Sequence, residues 1–340
     1  MFAGMNANAQ NTEPDYLDAA PAFCPTPTPL ACADDDALHP IPGKNYTYTI
    51  TASSSSYVRW FVTNDVNIMA AGALTTTIDP DGGTGTFILD AEDAVYNSIT
   101  NTEVSIDVSW KAFNAATNNV FLVAYVMDAA GCTDNIEAYK IEPIQAFTLD
   151  IAGILDDGTT GATECVSPVV SAIYNDPNLT MDYGQNYVFF AVNAANWVHS
   201  WQATFSATGG DGSTLGTPMW AYPDQASGAS SVWHAATDVV ESSHYSGATS
   251  IGATGQCIIV RVPVDHNNVE HIASTTITLA VNGIMYDPAT ATYPAANADL
   301  TDTGAGNTCS QVDLDDTADY TLTPRPDLEP VDPTPFVPKN

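Results

Sequence analysis

Clustered aspartates are the residues of this chain whose type and spacing most readily suggest chemistry. They occur at Asp34-Asp35-Asp36, at Asp79 with Asp81, at Asp156 with Asp157, and at Asp313, Asp315 and Asp316. A Ca²⁺ ion takes roughly six to eight oxygens, which clustered carboxylates and loop carbonyls can supply. None of the clusters has EF-hand spacing, and each also has the composition of a solvated turn. The expectation is Ca²⁺ as cofactor, held in one or more of these loops.

The second reactive set is the 6 cysteines, Cys24, Cys32, Cys132, Cys165, Cys257 and Cys309. Their number is even, no Cys-x-x-Cys occurs, and none lies at zinc spacing from a histidine. In an exported chain that pattern favours disulfides over metal or redox chemistry. Many pairings remain open. Cys24 and Cys32 flank Pro25, Pro27 and Pro29. They either close that small loop or are splayed apart by it, each stapling the segment to a different domain.

Flat rings form the third set. Trp197, Trp201, Trp220, Tyr222, Trp233 and Tyr245 crowd the second half of the chain. Sugars stack on such rings. Trp220, Tyr222 and Trp233 border loops and are the candidate ligand-binding residues, against the alternative that they simply pack the core. Of the 6 histidines, His266 and His271 are the closest pair. They fall in a polar loop and read as surface residues rather than metal ligands. Hydrolase, zincin, phosphate-loop and dinucleotide motifs are missing, so the chain reads as a non-enzyme.

The composition sets the environment for these residues. The chain has 340 residues, with 40 acidic against 7 basic, a formal net charge of −33, yet 45% of it is hydrophobic. Disordered acidic chains lack that apolar content, so a core is expected beneath an acidic surface. Such a surface repels nucleic acid and anionic lipid and gathers cations. No apolar run is long enough to insert in a membrane as a helix. Secretion or cell-surface display is the expected localisation.

Punctuation along the chain divides it. Residues 1–9 read as the remnant of a signal peptide, with Ala7 and Ala9 in a small-x-small cleavage pattern. Residues 10–42 form a Pro-rich leader, unsuited to helix or central strand. Alternating β-branched and aromatic residues then predict strands at Tyr46–Ile50, Val58–Val62, Gly85–Leu89, Val104–Trp110 and Val120–Met127. These make a first sandwich over 43–143. A second, larger sandwich over 146–323 has predicted strands at Phe147–Ile154, Cys165–Ala172, Asn186–Val192, Val198–Phe205, Gly216–Ala221, Cys257–Val264 and Thr275–Val281. Only Ala235–Ser242 suits a short helix. Residues 324–340 are a Pro-rich tail. The fold class expected is all-β, two tandem immunoglobulin-like β-sandwich domains with extended terminal segments. One internal echo supports relatedness of the two. Gly43-Lys44-Asn45-Tyr46 returns as Gly184-Gln185-Asn186-Tyr187, and a Trp follows each glycine at the same spacing, Trp60 and Trp201.

The run from Val120 to Asp134, an alternating strand ending in Asp128-Ala129-Ala130-Gly131-Cys132, resembles the last strands of immunoglobulin-like modules of the polycystic-kidney-disease (PKD) type. His39–Tyr48 and Trp60–Thr63 resemble their opening strands. The resemblance covers about residues 39–142. The Trp-Asp-Phe-Gly-Asp stretch of those modules is absent. Modules of this type are common in exported surface proteins of the Bacteroidota, and Ala-x-Ala-Gln resembles the mature ends of such proteins. Asp316-Thr317-Ala318 is similar to their O-glycosylation acceptor, which implies a glycan on Thr317. The resemblance implies export and scaffolding, adhesion or assembly rather than catalysis. The function expected is therefore an extracellular structural subunit that self-associates through its extended terminal segments, with residues 11–20 adding a strand to a neighbour. The alternative is an adhesin or carbohydrate-binding module that meets surface glycans through its aromatics.

Overall fold

The computed structural model describes residues 14–28, 30, 36–53, 56–81, 84–144, 146–175, 178–248, 250–267, 269–288, 290–300 and 316–327. Among these, strands are joined by loops and short 3-10 turns, so the chain is all-β.

The first part of the chain contributes β1 (Asn45–Thr49), β2 (Ser56–Thr63), β3 (Met69–Ala70), β4 (Ala73–Leu74), β5 (Ile88–Ala91), β6 (Ser105–Trp110), β7 (Val120–Asp128) and β8 (Asp134–Ile141). Two three-stranded sheets, β1–β6–β5 and β2–β7–β8, enclose one core, and β3 and β4 form a small hairpin. Alternation explains the packing: Val58, Trp60 and Val62 of β2 meet Ile106, Val108 and Trp110 of β6 in a single buried cluster. Asp79 shapes the entry to β5. Its carboxylate accepts the backbone N–H groups of Thr86, Phe87 and Ile88, which are then unavailable to a ladder. The strand therefore starts at Ile88, not at Gly85. The Asp134–Ile141 stretch, not expected as a strand, pairs along its length with β7.

The second part contributes β9 (Thr148–Ile154), β10 (Thr163–Cys165), β11 (Ser171–Asn175), β12 (Asn178–Asp182), β13 (Gln185–Ala195), β14 (Trp201–Gly209), β15 (Thr214–Leu215), β16 (Met219–Ala221), β17 (His234–Ala235), β18 (Val239–Val240), β19 (Gln256–Asp265), β20 (Thr275–Met285) and β21 (Asp316–Thr323). Sheet β17–β16–β19–β13–β9 faces sheet β10–β21–β20–β14–β18. Inward residues of both, among them Phe190, Trp201, Trp220, Val260, Leu279 and Tyr320, form the largest core. Two expectations are corrected here. The strand expected over Cys165–Ala172 is broken in two around Pro168, which has no N–H for a ladder. The helix expected at Ala235–Ser242 is a pair of two-residue strands with a tight turn at Asp238. β21 and the β11–β12 hairpin were not foreseen.

The internal echo has a structural counterpart. Gly43 and Gly184 both have φ in the left-handed region, +82° and +75°, where glycine has no steric penalty. Each opens a strand of one sheet, β1 or β13, and the Trp that follows lies on the next long strand of the facing sheet. Trp60 and Trp201 are both fully buried.

The leader is a strap rather than a free arm. Residues 14–28 run over the outer face of the β9–β13–β19–β16 sheet. Leu17 is buried there with Ile154, Phe189, Ala221, Ala226 and Ile259. Its N–H donates to Ala226 O and its carbonyl accepts from Gly228. Asp18 and Ala22 donate to the carbonyls of Asp156 and Gly158. Arg261 donates to the carbonyl and carboxylate of Asp15 and lies 4.4 Å from the ring centre of Trp233. Cys24 is disulfide-bonded to Cys257 of β19. Residues 11–20 were expected to offer strand-forming groups to a neighbour; residues 11–13 lie outside the described residues, and at Leu17 and Asp18 these groups are engaged within the chain.

Candidate functional site: the seam between the sandwiches

A cleft of about 370 Å³ lies where the two sandwiches meet. The first contributes Phe113 and Asn114 from the β6–β7 loop, with Pro143 and Ile144 from the connection. Asn114 folds that loop: its side chain accepts from Ala116 N–H and its carbonyl from Thr117 and Asn118. The second contributes the β13–β14 loop, Asn196 to Ser200, and the end of β20. Trp197 anchors this loop. It is fully buried, its indole N–H donates to Ala194 O, and its backbone bridges to Ile251. With Trp197 fixed inward, Asn196 and His199 on either side line the cleft. Met285, Tyr286 and Asp287 complete that wall.

Two polar atoms of this wall lack protein partners. Asn196 is only 8% exposed, with φ of +56°, and its side-chain carbonyl oxygen accepts no hydrogen bond. His199 Nε2 is likewise buried without a partner. Burial pushes the His199 pKa below its ordinary value, with Asp287 opposing, so the ring is neutral near pH 7. Domain junctions are a usual place for a ligand site, and the lining here mixes Asn114, Asp287 and Asn297 with Phe113, Ile144 and Met285. Sequence reasoning singled out neither Asn196 nor His199. The available signal was an Asn, tolerant of positive φ, opening a short loop before a core Trp.

The aromatic candidates lie elsewhere. Trp220 is 0% exposed, its ring stacked on His234 at 4.4 Å and its N–H bonded to Ala235 O. Tyr222 is buried against His244 at 3.5 Å. Their faces are covered by histidines, which corrects the expectation that they meet a ligand. Trp233 is half-buried and carries the Arg261 guanidinium over its ring, so it belongs to the leader's anchorage.

His266 and His271 are also not surface residues. Both are buried, and Ser213 Oγ lies 3.1 Å from His266 Nδ1 and 2.8 Å from His271 Nε2. Asn186 fixes the proton positions. Its Oδ1 accepts from Ser167 N–H and its Nδ2 donates to Cys165 O, so His266 Nε2 must donate to Oδ1. His266 Nδ1 then accepts from the serine hydroxyl, and His271 Nε2 donates to it. Burial pushes the His266 pKa down to about 4, aided by His271 and Arg325. The chain of bonds clamps two loops together at the far end of the larger sandwich.

The carboxylate candidates are dispersed. Asp79 serves three amides, as described. Asp81 accepts from Ala91 N–H, and Asp36 from the N–H groups of Leu38 and His39. Asp157 accepts from both the N–H and hydroxyl of Thr159. The Asp156 N–H donates to Glu164. Asp316 opens β21, and Thr317 next to it is exposed. Among the described residues no three His, Cys, Asp or Glu side chains gather as a metal site. Asp34, Asp35, Asp313 and Asp315, like Cys32 and Cys309, lie outside the described residues.

No protein-family model matches this chain, and no curated protein matches it. A solved structure titled "The Enterococcus faecalis MSCRAMM ACE binds its ligands by the collagen Hug Model" is similar at 8% identity and a TM-score of 0.20, over 85% of this chain and 86% of that one. At that score the likeness carries no argument, and the functional reading comes from this chain's own residues.

Proposed function

We propose that this chain is a non-enzymatic extracellular surface protein that holds a ligand in the seam between its two sandwiches. The observation that carries the proposal is the pair of buried, unpartnered atoms, Asn196 Oδ1 and His199 Nε2, in the wall of a cleft of mixed polar and apolar lining. Each unpaired buried polar group costs about 1–3 kcal/mol. A ligand that reaches them as the seam loosens recovers that energy. Neutral hydroxyl groups suit both atoms, and Phe113 and Tyr286 add aromatic rings to the lining, so a surface glycan is the ligand class proposed.

The Cys24–Cys257 disulfide supports an oxidising, extracellular setting. The acidic surface supports repulsion from nucleic acid. Ca²⁺ enters the proposal as a cation gathered by that surface, with Thr317 as an exposed position for a glycan of the protein's own. A glycan array, followed by calorimetry on any hit, tests the reading. Asn196→Gly suits the positive φ and removes the amide, and His199→Ala removes the ring nitrogen. Binding by the wild type that falls at least tenfold in both variants is expected. An array without hits, or variants that bind as well as the wild type, would overturn the proposal.

A further inference from the structure

The seam cleft does not stop at Asn196. The same residue lines a second hollow of about 290 Å³, bordered by Thr28 and Leu30 of the leader, by Lys44 and by Ala253. Pro27 and Ala253 are shared in turn with a third hollow of about 550 Å³, which follows the strap past Thr26 to Cys24. The three therefore lie in a row. Of the cysteines expected to pair, Cys132 and Cys165 are free and exposed. The bond that does form, Cys24–Cys257, holds the far end of this row.

One turn links the hollows. Gly252 O accepts from the N–H groups of both Asn196 and Gly255, and Ala253 and Thr254 stand exposed at the tip. Thr254 O accepts from Asn193 Nδ2, which also donates to Pro25 O of the strap. Asn193 is 2% exposed, and its Oδ1, like that of Asn196, has no partner. Gly255 lies directly against this oxygen, so that a Cβ there would come within 2.0 Å of it. The turn thus covers a second orphaned acceptor, which a ligand reaches when the turn shifts. Asn193 and Asn196 are three positions apart, roughly 10 Å at strand rise.

The lining sets the class of ligand. In the third hollow the polar side chains are Thr26, Asn193, Thr254 and Gln256, and none of the lining side chains is charged. In the second, Lys44 lies over the Tyr46 ring. Buried acceptors spaced along a groove call for donors spaced along a ligand, and neutral hydroxyl groups supply them without the cost of burying a charge.

We propose that the seam cleft is one end of a longer groove, running beneath the 252–255 turn and along the strap, and that its ligand is a linear, uncharged polysaccharide chain. This inference rests on the seam reading and adds the length and charge of the ligand. A single sugar meets one asparagine, whereas a chain of several presents hydroxyls to Asn196 Oδ1 and then to Asn193 Oδ1. The strap is a fixed wall for it, because Asp150 accepts the Thr28 N–H and the disulfide holds Cys24.

Calorimetry on the full chain with linear β-linked gluco-oligosaccharides, from disaccharide to hexasaccharide, tests the groove. Affinity at least tenfold higher for the hexasaccharide than for the disaccharide is expected. Thr254→Trp fills the third hollow from the turn and Thr26→Trp from the strap. Each should abolish the gain with length and leave disaccharide binding as it was, whereas His199→Ala weakens binding at every length. Equal affinity at all lengths, or a gain that survives both Trp variants, would overturn the groove and leave the seam reading in place. Tighter binding of oligogalacturonides of the same lengths would overturn the uncharged class. No binding at any length would overturn the inference, and the seam reading then stands or falls by the array. Thr26 and Thr254 are both exposed, and circular dichroism checks that their variants fold.

Discussion

Cys24 is bonded to Cys257 at a sequence separation of 233 residues, and that bond fixes the strap to the sheet it covers. A cross-link over so long a loop removes much freedom from the unfolded chain, about 5 kcal/mol in the chain-entropy view. Replacing both residues with Ser is expected to lower the denaturant midpoint of the larger sandwich. Amides in 14–28 should then exchange faster than those of β13. An unchanged midpoint with protected strap amides would show that the packing of Leu17 suffices alone.

Asp79 gives a second test, because its carboxylate already has work within the fold. Asp79→Ala strands three amide groups, two of them in buried bonds. A cost of about 2–4 kcal/mol follows from leaving such groups unpaired. Thermal melts in chelator separate this from any role with Ca²⁺. A variant that melts like the wild type in chelator would exclude the anchoring role.

The clamp around His266 makes stability depend on pH. The ring's pKa is lowered to about 4 in the fold, below its ordinary value near 6.5. The folded state therefore favours the neutral ring. Its contribution is fully present above about pH 6.5 and is lost as pH falls toward 4, on the order of 3 kcal/mol in all. His271 and Arg325 oppose protonation, and Asp265 favours it. Ring nitrogen shifts measured by NMR should show neutral His266 at pH 5. A ring that titrates near 6.5 would refute the clamp.

Trp220 and Trp233 should behave differently. Trp220→Ala empties a core site and is expected to cost about 3–5 kcal/mol. Trp233→Ala removes the ring under Arg261 and is expected to cost less while speeding exchange around Asp15. Equal effects of the two changes on global stability would contradict the assigned positions.

Strand content was legible wherever β-branched and aromatic residues alternate, as in Val58–Val62 and Val120–Met127. It was hidden where side chains facing out are polar on every second or third position. β8 and β21 were not expected as strands because Asp134-Asn135 and Asp316-Thr317 begin them, yet each strand is held by neighbours on the ladder. Composition could not distinguish rings that pack from rings that bind. Trp220 and Tyr222 border loops in sequence, but His234 and His244 fold back over them. The seam was the least legible. Asn196 and His199 acquire meaning only from Phe113 and Ile144, which belong to the other half of the chain.

The strap reverses the order of synthesis. Residues 14–28 leave the ribosome before the groove that receives Leu17, which needs Phe189, Ala221 and Ile259. The strap's covalent partner, Cys257, is made in the same late stretch as Ile259. The segment must therefore wait, unpaired, until β13, β16 and β19 have been made and folded. Closure of the Cys24–Cys257 bond then reports completion, so a truncated or stalled chain is left with a free thiol and an uncovered apolar groove. Both are features that quality-control machinery can recognise.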